Sequence, residues 1–410
     1  MRQKVTEEEF IRLWDELGGA TAVAKRLGCS ARNVHERRRS IERRRGITLE
    51  VRKSGEVPME DQPNPSDPEL RALRAQLDAA RKNQLDAEYV KRKILGLSHE
   101  PIESPDWLVK RGRGASVLGV PTLFASDWHW AETVDPKQIN GVNEYSLDIA
   151  HRRAQRMVEK TIFLLRNCFD GARYPGIVFA LGGDMVSGDI HEELSATNEI
   201  EIMPTVVDLI GVLAWCVCAL ADEFGQVFVP CVSGNHGRNT KKIRAKGRAF
   251  TSFDWLIYVM LASRFEDDHR VTFMVPDGPD AYWRIYGTRY MLTHGDEFRG
   301  GDGMIGALGP IVRGDHRKRS RATQVDMGYD VLLAGHFHQL IQLQRLIVNG
   351  SLKGYDEYAW RCGFPYERAR QALWITHPEH GITFSMPVNV DDDAPHGASA
   401  VEWVSWPKAI

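Results

Sequence analysis

Five short polar clusters hold the residue types able to do chemistry: Asp127-Trp-His129, Gly182-Gly-Asp184, Gly234-Asn235-His236, Thr293-His294 and Gly335-His336-Phe-His338. Imidazoles, carboxylates and an amide in this mixture suit borderline-hard divalent cations such as Mn²⁺, Fe²⁺, Zn²⁺ or Mg²⁺, and no cysteines are spaced to close a structural zinc cage. Residues i and i+2 of an extended strand face one side, so the Asp-x-His and His-x-His spacings are expected to grip an ion from a strand. The glycines are expected to let the backbone turn sharply beside the ions. A single histidine would be better explained by a structural hydrogen bond.

Four of the five clusters directly follow apolar, strand-like runs: PTLFASD, GIVFALGGD, QVFVPCVSGNH and DVLLAGHFH. YWRIYGTRYMLTHGD brings a further strand to His294. Helical periodicity is expected over 146–168 and 203–224, while RLIVNGS and ITFSMPVNV suggest a closing sheet. Strands alternating with helices, and polar groups gathered at strand ends, predict an α/β or α+β sandwich over residues 116–395 with a tail at 396–410.

In order and spacing the five clusters resemble the calcineurin-like metallophosphoesterase superfamily, over roughly residues 120–350. The resemblance implies a four-layer αββα core holding two divalent ions, with Mn²⁺ the first expectation ahead of Mg²⁺, Fe²⁺ and Zn²⁺. It implies Asp127, His129, Asp184 and His338 as one metal site and Asp184, Asn235, His294 and His336 as the other, with Asp184 bridging. Two such ions can clamp a phosphate and activate water for in-line attack. His236 is implied as the proton donor to the leaving group, or as a ligand of a phosphate oxygen. Where the family often carries an acid after this histidine, the chain has Gly237, so its orienting group is expected at Asp189 or His191, just beyond Ser187. GDMVSGD lacks the arginine of the GDxxDRG found in the superfamily's protein phosphatases, which turns the expectation from phosphoproteins to phosphodiesters. The layout is similar to the SbcD-like repair-exonuclease branch and to phage-carried relatives, without that branch's C-terminal DNA-capping region.

The rest of the chain supplies a possible means of delivery. Residues 1–53 hold 14 Lys or Arg against 8 Asp or Glu, a local +6 within a net charge of −2. Such a head suits an anionic partner. Thr6 and Glu9 form a capping-box pattern ahead of TEEEFIRLWDEL, GlyGly breaks the helix, and TAVAKRLG is joined to ARNVHERRRSIERRR by a turn at Gly28 to Ser30. The pair resembles a helix-turn-helix over residues 1–52, with Arg32, Asn33, Arg37, Arg38 and Arg39 placed to meet DNA. Such units also dock proteins, so homo-oligomers stay open. A Pro-rich linker is expected at 53–68 and a helical spacer at 69–115. Arg313, Arg317 and Lys318 in a basic run are candidates for a nucleic-acid backbone, against a solvated helix face. Asn349 to Ser351 with Tyr355, Tyr358 and Trp360 could shape a cleft and stack on bases, with packing the stronger expectation.

Six cysteines without a CxxC pair form no disulfide framework and fit a reducing cytosol. The N-terminus lacks an apolar signal core, and the longest apolar run, 209–221, is shorter than the roughly 20 residues a bilayer needs, so a buried helix and no membrane partner are expected. The expected function is a DNA nuclease. Its rivals are a small-nucleotide phosphodiesterase and a DNA-binding regulator on a phosphoesterase scaffold.

Overall fold

The structure is a computed structural model describing residues 5–50, 103–110, 118–190, 192–298, 306 and 308–391. Contacts divide the chain into two compact units, 1–85 and 86–410. The linker at 53–68, most of the expected spacer and the tail lie outside the described residues.

The first unit carries α1 (Glu7–Leu17), α2 (Ala20–Leu27) and α3 (Ala31–Arg45). Thr6 and Glu9 satisfy each other's backbone donors in a full capping box. Gly28, at φ +60°, ends α2, and Ser30 caps α3. Phe10, Trp14, Val23, Val34 and Ile41 close a small core. That core claims two of the expected DNA contacts. Arg37 donates to the Val5 carbonyl and lies 5.4 Å over the Phe10 ring. Arg38 pairs with Glu42 at 2.8 Å and lies 4.9 Å over Trp14. Both therefore pack α3 against the α1 segment, because a helix of this pitch turns positions 34, 37, 38 and 41 to one side. Arg32, Asn33 and Arg39 are exposed on the other side.

The second unit holds two sheets. One runs β11-β10-β1-β2-β3-β4: β1 (Val120–Ala125), β2 (Ile177–Leu181), β3 (Val227–Pro230), β4 (Val271–Met274), β10 (Arg370–His377) and β11 (Gly381–Asn389). The other runs β5-β6-β7-β9-β8: β5 (Asp280–Ile285), β6 (Thr288–Thr293), β7 (Val331–Ala334), β8 (Ile341–Leu343) and β9 (Leu346–Val348). β1 to β4 are parallel, as are β6, β7 and β9. The helices are α4 (Leu147–Asn167), α5 (Ile202–Phe224), α6 (Phe253–Arg264) and α7 (Leu308–Gln324), plus short turns of helix.

Strand alternation explains the layering. Leu123, Phe179, Leu181 and Val229 face α4, α5 and α6, while their neighbours Phe124, Val178, Ala180 and Phe228 face the second sheet through Trp283, Tyr290, Leu292 and Leu333. Met291, Leu332 and Val348 then face Ile311 and Ala322 of α7. Both faces of each central strand are covered, which is why β1, β2, β3 and β7 read as unbroken apolar runs. The result is the expected four-layer α/β sandwich.

Three expectations change. RLIVNGS and ITFSMPVNV do not close one sheet, since β9 and β11 lie in different sheets, and the antiparallel neighbour of β1 is β10. The described part of the expected spacer, 103–110, is not independent: Leu108 is fully buried between the sheets and accepts a hydrogen bond from the Tyr286 amide. The apolar helix spans 23 residues, long and apolar enough to cross a membrane by length and composition. One face packs on the first sheet through Leu209, Leu213 and Val217, and the other exposes Met203, Val207 and Trp215.

Candidate metal centre

Each chemical cluster stands just past a strand: Asp127 and His129 after β1, Asp184 after β2, Asn235 and His236 after β3, His294 after β6, His336 and His338 after β7. These strand ends converge. Potential ligand atoms of Asp127, His129 and His338 lie within 4.8 Å of one another, as do those of His129, Asp184 and His236, and those of Asp184, His294 and His336. Asn235 joins the last group, its Oδ1 lying 3.2 Å from His294 Nε2. His129 and Asp184 each belong to two adjacent groups.

The spacing works differently from the expected extended strand. Asp127, His129, Asp184, His336 and His338 have φ of +55°, +48°, +49°, +69° and +52°, all left-handed. A strand would set alternate ligands in a line, whereas left-handed turns curl them around a point. Such backbone costs on the order of 1–3 kcal/mol per residue, and clusters where function over-determines it. The turns are held by pairing with each other, since the Asp127 amide donates to the Gly183 carbonyl at 3.0 Å and the His129 amide to the Asp184 carbonyl at 3.1 Å. Glycine is required where backbone abuts a ligand: a Cβ on Gly234 would stand 2.1 Å from Asp184 Oδ1, and one on Gly335 2.5 Å from Asp127 Oδ2.

The candidate ligands are pre-oriented. Ser126 Oγ donates to Asp127 Oδ2 at 2.5 Å, the His336 amide to Asp127 Oδ1 at 2.9 Å, and the His236 amide to Asp184 Oδ1 at 2.6 Å. His294 Nδ1 bonds the Gly182 carbonyl at 2.9 Å, so its proton sits there and Nε2 faces Asp184 Oδ2 at 2.9 Å. His129 and His338 bring their Nε2 atoms to 3.1 Å. Burial raises the carboxyls, but His338 beside Asp127 and His294 beside Asp184 outweigh it and hold both below the usual range. Burial pushes His236 down to about 3, and burial with the neighbouring His294 takes His336 to about 4. Burial also opposes protonation of His294, but Asp184 carries it up to about 10. Ionised carboxylates and neutral imidazoles are what a divalent cation needs from its ligands, so His294, held protonated by Asp184, would release that proton on binding one.

Residues around the ligands escaped the sequence reading. Glu132 lies 3.1 Å from His129 Nδ1, a close contact without an aligned hydrogen bond. Its other oxygen meets Lys353 Nζ at 2.7 Å, and Lys353 meets Asp356 at 2.5 Å, all three being buried. Asp254 accepts the amides of Asp184, Met185 and Gly234 at 3.0, 3.2 and 2.9 Å, joining two ligand turns. Burial, then the Asp184 charge, raises it to about 6. An acid in the apolar run FDWLIYVMLASR was the one available signal for Asp254.

Other expected residues move. His236 Nδ1 lies 3.1 Å from the Ser187 main-chain carbonyl, which takes the orienting place expected of Asp189, an exposed residue. His191 lies outside the described residues. Asn349 and Ser351 are buried behind the centre rather than lining a cleft: Asn349 donates to the Phe124 carbonyl and Ser351 to the Asp127 carbonyl, each through its side chain. Of the aromatics, Tyr355 packs inward while Tyr358 and Trp360 are exposed. Lys318 is buried, its ammonium 2.6 Å from Asp280 and paired with Glu297, so it is spent on holding α7 to the sheet edge and not offered to a polyanion. Arg313 and Arg317 are exposed on that helix.

No family model and no curated protein matches the chain. Among solved structures it is similar to a single mutant of Vps29 from Entamoeba histolytica (11% identity, 66% of this chain and 99% of that one, TM-score 0.27). It is also similar to a conserved protein of Streptococcus pneumoniae that is a predicted phosphoesterase (10% identity, 66% and 98%, TM-score 0.26), and to Vacuolar Protein Sorting 29 from Cryptosporidium parvum (12% identity, 62% and 84%, TM-score 0.26). Likenesses this loose carry no weight for function beside the chain's own geometry.

Proposed function

We propose that this chain is a binuclear metal-dependent phosphodiesterase acting on nucleic acid, as its resemblance to the calcineurin-like metallophosphoesterases implies, with an N-terminal helix-turn-helix that binds duplex DNA. One observation carries the reading: His129 and Asp184 are each shared between neighbouring ligand groups, so the side chains outline two cation positions side by side. The donor set, two carboxylates, imidazoles with Nε2 turned inward and an amide oxygen, fits Mn²⁺ first, then Fe²⁺, Zn²⁺ or Mg²⁺.

When bound, the ions supply Lewis acidity and an activated water. Asp184 would bridge the two positions, with Asp127, His129 and His338 completing one and Asn235, His294 and His336 the other. His236, half-buried with Nδ1 turned to the Ser187 carbonyl, leaves Nε2 to meet a phosphate oxygen or, once protonated there, to donate to the leaving oxygen. In the head, Arg32, Asn33 and Arg39 are the three of the five expected DNA contacts that stay exposed on α3, Arg32 lying 3.2 Å from Glu36.

The test is a substrate panel with metal content measured first: single- and double-stranded DNA, a cyclic nucleotide and bis(p-nitrophenyl) phosphate, each with Mn²⁺, Mg²⁺ and Zn²⁺. Cleavage of DNA supports the proposal. Turnover of the small diesters alone would replace it with a small-nucleotide phosphodiesterase. A protein that binds duplex DNA equally well with Asp184→Asn, and turns over nothing, would be a regulator on a phosphoesterase scaffold.

A further inference from the structure

Tyr358, Trp360, Phe364 and Tyr366 are 60%, 43%, 42% and 54% exposed within nine residues of chain. Rings left in water on a mobile loop would need no explanation, but these stand on a fixed pedestal. Asp356 caps the short helix Glu357–Cys362 by accepting the Ala359 amide at 2.8 Å, and Gly363 closes it at φ +68°. Tyr355 is buried and its hydroxyl donates to the Phe364 carbonyl at 2.7 Å. Glu357 accepts the Asp135 amide at 2.8 Å.

The pedestal is also tied to the metal centre. Asp356 pairs with Lys353, Lys353 with Glu132, and Glu132 touches His129, each contact 3.1 Å or shorter. A few residues earlier, Ser351 Oγ and the Leu352 amide both donate to the Asp127 carbonyl, at 2.8 and 3.2 Å. The segment that carries the rings is thus joined to the residues of the metal centre by buried contacts at two points.

We propose that this patch is a stacking platform for unpaired nucleobases of the strand whose phosphodiester sits on the metal centre. The inference rests on the nucleic-acid reading above and narrows it to strands with exposed bases. The ring pairs meet edge to face, Tyr355 with Trp360 at 82° and Tyr358 with Phe364 at 77°, so one ring of each pair keeps both faces clear of its partner. Arg361 lies 5.7 Å over Tyr358 and sets a cation at the patch for a backbone phosphate. A base in a duplex has both faces already stacked, so only an unpaired one can lie on a side-chain ring. Such stacking contributes about 1–3 kcal/mol per base and tolerates any sequence.

The test uses the full chain, with binding measured in the Asp184→Asn background to block turnover. Fluorescence anisotropy compares a short oligothymidylate with an abasic strand of the same length, for Trp360, Trp360→Ala and Trp360→Phe, and Tyr358→Ala is the second site. Trp360→Ala is expected to weaken oligothymidylate binding about tenfold, to leave the abasic strand unchanged, and to be largely rescued by phenylalanine. In the otherwise wild-type chain, Trp360→Ala should leave turnover of bis(p-nitrophenyl) phosphate unchanged. Equal losses on both strands, loss of small-diester turnover, or an altered oligomeric mass with unaltered oligonucleotide binding would each overturn the platform. If the wild-type protein cleaves no nucleic acid, base-dependent binding still scores the platform separately from the nuclease.

Discussion

Replacing Lys353 by methionine probes the part of the site that the sequence reading overlooked. Lys353 is 2% exposed, with Glu132 and Asp356 at 2.7 and 2.5 Å. Methionine fills similar volume but leaves two buried carboxylates without their counter-ion. Removing one partner of a buried ion pair costs about 3–5 kcal/mol, a large part of the roughly 5–15 kcal/mol that holds a domain folded. Urea unfolding of the full chain in EDTA, followed by far-UV circular dichroism, should show a loss of that size. Added Mn²⁺ should narrow it, since a cation on His129 supplies positive charge next to Glu132. The pH dependence has a definite sign. Burial is outweighed by Lys353 and His129, so Glu132 is held below its usual value of 4.5, and its stabilisation is present above that value and fades as the pH falls below it. Without Lys353 burial raises the carboxyl, so the gap between variant and wild type should be widest near neutrality and close toward acid. A loss under about 1 kcal/mol in EDTA, or a gap that widens in acid, would refute a buried charged network.

In the head, Arg38→Ala should lower thermal stability by about 1 kcal/mol, from a lost half-buried pair and ring contact, whereas Arg39→Ala should leave stability alone and lower the salt slope of duplex binding by about one. Deleting residues 1–53 should weaken duplex binding and flatten its salt dependence, and an unchanged slope in a filter-binding titration would assign the head another task. Gly234→Ala should reduce metal affinity about 10- to 100-fold, as displaced support around a ligand does, read by calorimetric titration with Mn²⁺. Asp254→Asn presents one acceptor where three amides converge, so it should destabilise by about 1–3 kcal/mol in the same urea assay.

The amino-acid sequence by itself determined what is local: the ligand types, their order at strand ends, the Thr6–Glu9 capping box, and the helices near 146–168 and 203–224. These are legible because strand and helix periods, caps and ligand chemistry are written in consecutive residues. Only the tertiary structure decided which cations are free. Arg37 and Arg38 differ from Arg39 by the face of one helix turned toward Phe10 and Trp14, and Lys318 differs from Arg317 by the sheet edge beneath it. Glu132 and Lys353 meet across 221 positions of chain, and a pairing at that separation follows from topology, which leaves no local pattern. The support of His236 falls to a main-chain carbonyl, which every residue possesses, so no residue type could have announced it.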